Sequence, residues 1–138
     1  MSDLAQKVIL IVEDNPDNSL LAIEIVDIFV KPRAIHAVDS GAQLFVWLDQ
    51  NPDLHPNLIL LDIRMPHQDG YSILRDIRTN PHCVGTQVVA MTANIMPVDI
   101  EKAREAGFDG FIGKPVDFHR FPQQVERILA GEQVWEAR

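Results

Sequence analysis

Five short apolar runs, separated by longer amphipathic segments, limit what this chain can fold into more than any other feature. The runs are Val8-Ile9-Leu10-Ile11-Val12, Ala34-Ile35-His36-Ala37-Val38, Leu58-Ile59-Leu60-Leu61, Val88-Val89-Ala90-Met91 and Phe108-Asp109-Gly110-Phe111-Ile112. The first, third and fourth contain no polar residue, which is the pattern of a parallel strand covered on both faces. The second and fifth are each broken by a polar residue and suit the edges of a sheet.

Helical patterns lie between the runs. Residues 17–30 carry apolar side chains on every turn, with Asp17 or Asn18 as the expected N-cap. Ser40-Gly41 opens a second helix reaching about Gln50, and Asp69-Gly70 a third reaching about Asn80. Pro97 suits the first turn of a fourth helix, which Gly107 ends. Asp117 is placed to cap a fifth running to Ala130, with an irregular start near Phe121 because Pro122 cannot sit on a regular second turn. Strand and helix thus alternate five times. That predicts an α/β fold with right-handed crossovers: a doubly wound, five-stranded parallel sheet of order 2-1-3-4-5, the flavodoxin-like arrangement, with five helices on two faces. One domain over residues 1–138 is expected, with its core at about 7–130. The tail 131–138 contains Trp135 and is read either as docking on the surface or as taking part in self-association.

Composition removes several function classes. The 138 residues have 46% hydrophobic and 23% charged side chains, an ordinary globular balance. Twelve basic and 20 acidic residues give a net charge of −8, the wrong sign for a nucleic-acid surface and the right one for metal ions or basic partner faces. Cys83 is the single cysteine, so there is no intramolecular disulfide and no zinc framework, and it is read as a loop or surface thiol. The first apolar run is too short for a signal peptide and ends at Glu13-Asp14; no run reaches membrane-span length, so a cytoplasmic location is expected, with no membrane or nucleic-acid partner. The five histidines show no metal-ligand spacing.

Ligands of an open parallel sheet bind beyond the carboxyl ends of its strands. The first strand ends in Glu13-Asp14, the third in Asp62, the fourth in Thr92 and the fifth in Lys114-Pro115. Singly, each has an ordinary explanation as a turn, cap or β-branched strand residue. Together they bring three carboxylates, a hydroxyl and an ammonium to one edge. Crowded carboxylates repel one another, and a hard divalent cation such as Mg²⁺ (or Mn²⁺) relieves this through oxygen ligands. Asp14 and Asp62 are the expected direct ligands, with Glu13 reaching through water. Such a site suits phosphoryl groups: Lys114 would sit on phosphoryl oxygens, Thr92 would offer a donor and Asp62 would be the nucleophile.

The segments VILIVEDNPDN at 8–18, LILLDIRMPHQDGY at 58–71, VVAMTAN at 88–94 and AGFDGFIGKP at 106–115 resemble the receiver domains of bacterial response regulators, over roughly Lys7 to Ala130. The resemblance implies a phosphorelay protein rather than an enzyme. Asp62 matches the phosphoacceptor, served by a histidine kinase or a histidine phosphotransfer domain. Glu13 and Asp14 match the acidic pair, where many members carry two aspartates. The backbone carbonyl of Arg64 matches the third protein ligand of the metal, and Lys114 the phosphate-binding lysine. Pro115 matches a proline after a cis peptide. Thr92 and Phe111 match the switch pair, where many members have Tyr in place of Phe111. Phosphorylation would draw in Thr92, let Phe111 turn inward and reshape the surface of the fourth helix, fifth strand and fifth helix for a downstream protein target or a homodimer. Arg64 and Asn94 would overhang the phosphate and tune its lifetime.

Other readings make different demands. A haloacid-dehalogenase-type phosphohydrolase needs a general acid two residues after its nucleophile, where Arg64 stands. A flavin mononucleotide binder needs a phosphate cradle where EDNPDN is acidic. The alternative kept open is a receiver-like interaction module that works without phosphorylation. Residues 115–138 leave room after Lys114 for one helix and a tail, so no DNA-binding or enzymatic output domain is expected.

Overall fold

A computed structural model describes residues 3–93 and 95–136. In chain order the elements are β1 (Val8–Val12), α1 (Pro16–Phe29), β2 (Ala34–Val38), α2 (Gly41–Gln50), β3 (Leu58–Asp62), β4 (Arg64–Met65), β5 (Gln68–Asp69), α3 (Gly70–Arg78), β6 (Gln87–Thr92), α4 (Pro97–Ala106), β7 (Gly110–Gly113), α5 (Arg120–Leu129) and β8 (Trp135–Glu136). All neighbouring strands of the main sheet run parallel, in the order β2-β1-β3-β6-β7-β8. The first five positions are the expected flavodoxin-like 2-1-3-4-5 arrangement.

The alternation of strand side chains divides the core in two. Ile9, Ile11, Leu58, Leu60, Val89, Met91 and Ile112 face α1 and α5. Leu10, Val12, Ile59, Leu61, Val88, Ala90 and Phe111 face α2, α3 and α4. Every residue of β1 and β3 is buried, whereas β2 is only partly covered, as befits an edge.

Several details depart from the sequence-based expectation. Helix α1 begins at Pro16, and its cap is Asn15, whose side chain accepts from the amides of Asp17 and Asn18, not Asp17 or Asn18 itself. Proline has a preset φ and no N–H to satisfy, so it takes the first helical position and moves the cap one residue earlier. Helix α3 stops at Arg78, short of Asn80, because Asn80 precedes Pro81 and is held in an extended conformation, capping a 3-10 turn over Pro81–Cys83. That turn packs Cys83 into the core beside Ile77 and Val88, so Cys83 is a buried thiol, not a surface one. Burial pushes its pKa up, against the hydrogen bond with Thr86 and the charge of Arg78.

The largest departure is at the fifth main strand. The sequence suggested that it lies at the sheet edge, but β8 pairs with β7 in parallel and takes the edge itself. The two residues of β8 have neither length nor periodicity to announce a strand. Within the chain the tail docks on the sheet through residue 136.

Candidate functional site

Sheet register assembles the site. Val12 lies opposite Leu61, Asp62 opposite Met91, and Thr92 opposite Gly113, so the residues that follow or end β1, β3, β6 and β7 come to one edge. Backbone bonds continue past the strand ends: the Glu13 amide donates to Val38, that of Ile63 to Met91 and that of Lys114 to the Thr92 carbonyl.

Lys114 is the centre of the cluster. Its Nζ lies 2.6 Å from Glu13 Oε1 and 3.0 Å from Asp62 Oδ2. Glu13 and Asp62 are 3% and 2% exposed, too buried to carry charge without partners. Each has a second one: Glu13 Oε2 accepts from the Asn15 amide at 3.1 Å and Asp62 Oδ1 from the Arg64 amide at 2.9 Å. Burial alone would lower the Lys114 pKa; its hydrogen bonds to Glu13 and Asp62, and their charges, outweigh this and hold it above the usual lysine value.

Asp14 completes the acidic group from an exposed position. One carboxylate oxygen from each of Glu13, Asp14 and Asp62 can be chosen so that all lie within 4.8 Å of one another. Three carboxylates against one ammonium leave two negative charges, which one divalent cation would neutralise, and an all-oxygen donor set is what Mg²⁺ or Mn²⁺ takes.

The remaining expected residues occupy the rim. Thr92 ends β6 and is buried. Arg64 is exposed in the β4–β5 hairpin, and the Lys114-Pro115 peptide is cis. Asn94 lies outside the described residues. Phe111 is fully buried among Val88, Ala90, Ala103 and Phe108, so the inward turn expected of it finds the ring already inside. Strand alternation points the ring into this layer, and on the open side of β7 the Phe111 amide donates to the Val134 carbonyl at 2.7 Å.

Some contributors were not anticipated from the sequence. Gln68 Oε1 accepts from the Gly41 amide, tying the β4–β5 hairpin to the start of α2. Gly70 lets the start of α3 pack against the base of the hairpin; a Cβ there would stand 2.6 Å from Ile63 Cα. A cleft of about 260 Å³ opens beyond Asp62 between Ile63, Arg64, Tyr71, Thr92, Asp99 and Lys102. The Lys102 ammonium sits 4.8 Å from the Tyr71 ring centroid. Burial and the charges of Asp99 and Asp69 push the Tyr71 hydroxyl pKa up. No local motif marks Gln68 or Lys102, because their roles depend on elements far apart in sequence.

Residues 9–126 match the model of the response regulator receiver domain. The chain belongs to the response regulator receiver family. It is 29% identical over 123 residues to the polar-differentiation response regulator DivK of Brucella ovis, covering 89% of this chain and 96% of that one. It is 32% identical over 133 residues to a probable cyclic di-GMP phosphodiesterase of Vibrio cholerae, spanning 96% of this chain but 29% of that protein, so the activity in that name is not carried over. Among solved structures, the receiver domain of a signal transduction histidine kinase from Syntrophus aciditrophicus superposes with a TM-score of 0.74 at 30% identity, covering 96% of each chain. The receiver domain of the sensor histidine kinase PA1611 from Pseudomonas aeruginosa, solved with a magnesium ion in its active-site cleft, gives 0.72 at 28% identity, with 93% of this chain and 100% of that one covered. Receiver domains are signalling modules of two-component systems. Among the described residues, no helix of this chain is long and apolar enough to cross a membrane.

Proposed function

We propose that this receiver domain takes a phosphoryl group onto Asp62 from a phosphohistidine on a histidine kinase or phosphotransfer protein. The observation that carries this reading is the position of the Lys114 ammonium, which bridges Asp62 and Glu13 inside an acidic cluster that lacks two positive charges. One Asp62 oxygen attacks phosphorus as the N–P bond breaks, and the leaving imidazole nitrogen keeps the electron pair and is protonated. Lys114 transfers its hydrogen bond from the carboxylate to a phosphoryl oxygen, and the Thr92 hydroxyl offers a second donor. Glu13, Asp14, Asp62 and the carbonyl of Arg64 would hold Mg²⁺ or Mn²⁺, which supplies charge neutralisation on the transferred group. Arg64, exposed on its hairpin, limits entry of the hydrolytic water, and Asn94 shares that role. The donor approaches over a rim that holds Leu21 and Val116 beside Glu13 and Lys114, an apolar shelf suited to a partner protein. Phosphorylation then biases Thr92 and Phe111, and through them the face formed by α4, β7 and α5, toward a downstream target or a second copy.

Intact mass after incubation with Mg²⁺ and a small phosphodonor tests this directly. Wild type gains one phosphoryl group; Asp62→Asn gains none, and a chelator abolishes the gain. A folded wild-type chain that stays unmodified would instead favour the phosphorylation-independent interaction module. Arg64→Ala shortens the phosphoryl lifetime; an unchanged lifetime removes that role.

A further inference from the structure

The face between α4 and α5 is already occupied by the chain's own tail. Residues 134–136 lie extended along β7, flanked by both helices. Val134 is buried and its carbonyl accepts from the Phe111 amide. Trp135 lies under the Arg104 guanidinium of α4, 4.5 Å from ring centroid to Cζ. Glu136 is held from α5, at 2.9 Å by Gln124 Nε2 and at 2.9 Å by Arg127 Nη1, with Arg120 further off at 3.4 Å. Gly110 is shaped for this approach: a Cβ there would stand 2.6 Å from the Val134 carbonyl oxygen. The slot therefore reads three successive side chains and one backbone group. It takes a buried aliphatic residue, then an aromatic against a cation, then a carboxylate.

The geometry points to a strand-addition groove on β7 that recognises an extended protein segment of the order aliphatic–aromatic–acidic, with residues 134–136 as its resident occupant. Strand addition of this kind takes affinity from main-chain hydrogen bonds and specificity from side-chain pockets. The occupant is built to be exchanged. It contributes two residues to the sheet, and its ion pairs are half-exposed, so each is weak in water. Because the tail is tethered, it competes at high effective concentration, and a partner segment must either bind more tightly or arrive when the tail is loosened. The proposal shares with the phosphoacceptor reading only the choice of face. Its test uses no phosphodonor, so either can fail alone.

The probe is a fluorescent peptide of residues 131–136 (GEQVWE), offered to the full chain as wild type and as Val134→Asp, which places a charge where the tail needs an aliphatic group. Circular dichroism checks that each variant is folded. Val134→Asp binds the peptide at least tenfold more tightly than wild type, and bound peptide restores the slow amide exchange of Phe111 that the variant has lost. Adding Arg127→Glu to Val134→Asp weakens binding, and a peptide with Lys in place of Glu136 recovers it. Gly110→Ala in the Val134→Asp background abolishes binding. Equal binding to wild type and Val134→Asp, or binding to neither, overturns the proposal. So would a wild-type dimer with exchanged tails in sedimentation and cross-linking, since the occupant would then be a second copy.

Discussion

Two of the carboxylate–cation clusters among the described residues differ in depth. At the carboxyl edge of the sheet, Lys114 and its partners Glu13 and Asp62 have side chains 15%, 1% and 3% exposed. At the tail, Arg127 and Glu136 are 41% and 28% exposed. Coulomb attraction is screened strongly at the second and weakly at the first. The buried cluster cannot lose one member without stranding the others, whereas the tail pairs give way with little cost. A site meant to hold charge in place and a contact meant to be released are thus made from the same chemistry at different burial.

The sharpest way to break this comparison is Lys114→Met. It leaves Glu13 and Asp62 buried and facing one another, and the expected loss is about 3 kcal/mol or more of unfolding free energy in chelator, read from urea denaturation. Millimolar Mg²⁺ should recover part of it, because a ligand that binds only the folded state stabilises it. An unchanged midpoint in chelator would place the two clusters on one footing. Deleting the residues after Gly131 is the next largest change. It uncovers the Val134 slot and should cost about 2 kcal/mol by urea denaturation, the scale of one buried aliphatic side chain. Glu136→Gln should cost below about 1 kcal/mol. In 1 M NaCl this difference should vanish while that of Lys114→Met persists, since only the tail pair is open to screening.

The smallest effects are those of pH, and they have opposite signs. The Lys114 pKa is raised by Glu13 and Asp62 against burial, so its stabilisation is complete below the ordinary lysine value and fades as pH rises through the raised one. The Glu136 pKa is lowered by the Gln124 hydrogen bond and then by Arg127, so its contribution is present above the ordinary glutamate value and fades as pH falls through the lowered one. Acid should therefore loosen the tail and alkali the site. Exchange at the Phe111 amide, corrected for intrinsic rate, and urea midpoints above pH 10 read the two separately.

Much of this was legible in the sequence because it rests on local signals. Continuous apolar runs with acidic ends located β1 and β3, and Gly107, with φ +103, ends α4 as a residue free of Cβ crowding should. Asp62, Thr92 and Lys114 could be placed together because parallel register brings strand ends to one edge. What stayed hidden is set by contacts between distant segments. Cys83 is buried because its turn folds under α3, and nothing in Asn80-Pro81-His82-Cys83 states that. Trp135 belongs to a strand because Gly110 leaves room for a carbonyl and α5 carries Arg127 and Gln124 on the facing side. The depth at which Phe111 sits depends on Ala90, Ala103 and Phe108, which come to it from outside β7.

The parallel pairing of β8 with β7 also bears on how the protein behaves at high concentration. A sheet edge offers unpaired amides and carbonyls to any passing chain. On this side the edge would be Gly110-Phe111-Ile112-Gly113, with no charged residue, were it not covered by β8, which carries Glu136. Covering that edge with a short strand that carries a charge keeps neighbouring molecules from pairing edge to edge. Shortened forms that stop at α5 should therefore be less soluble than the full chain, even where their folded cores are unchanged.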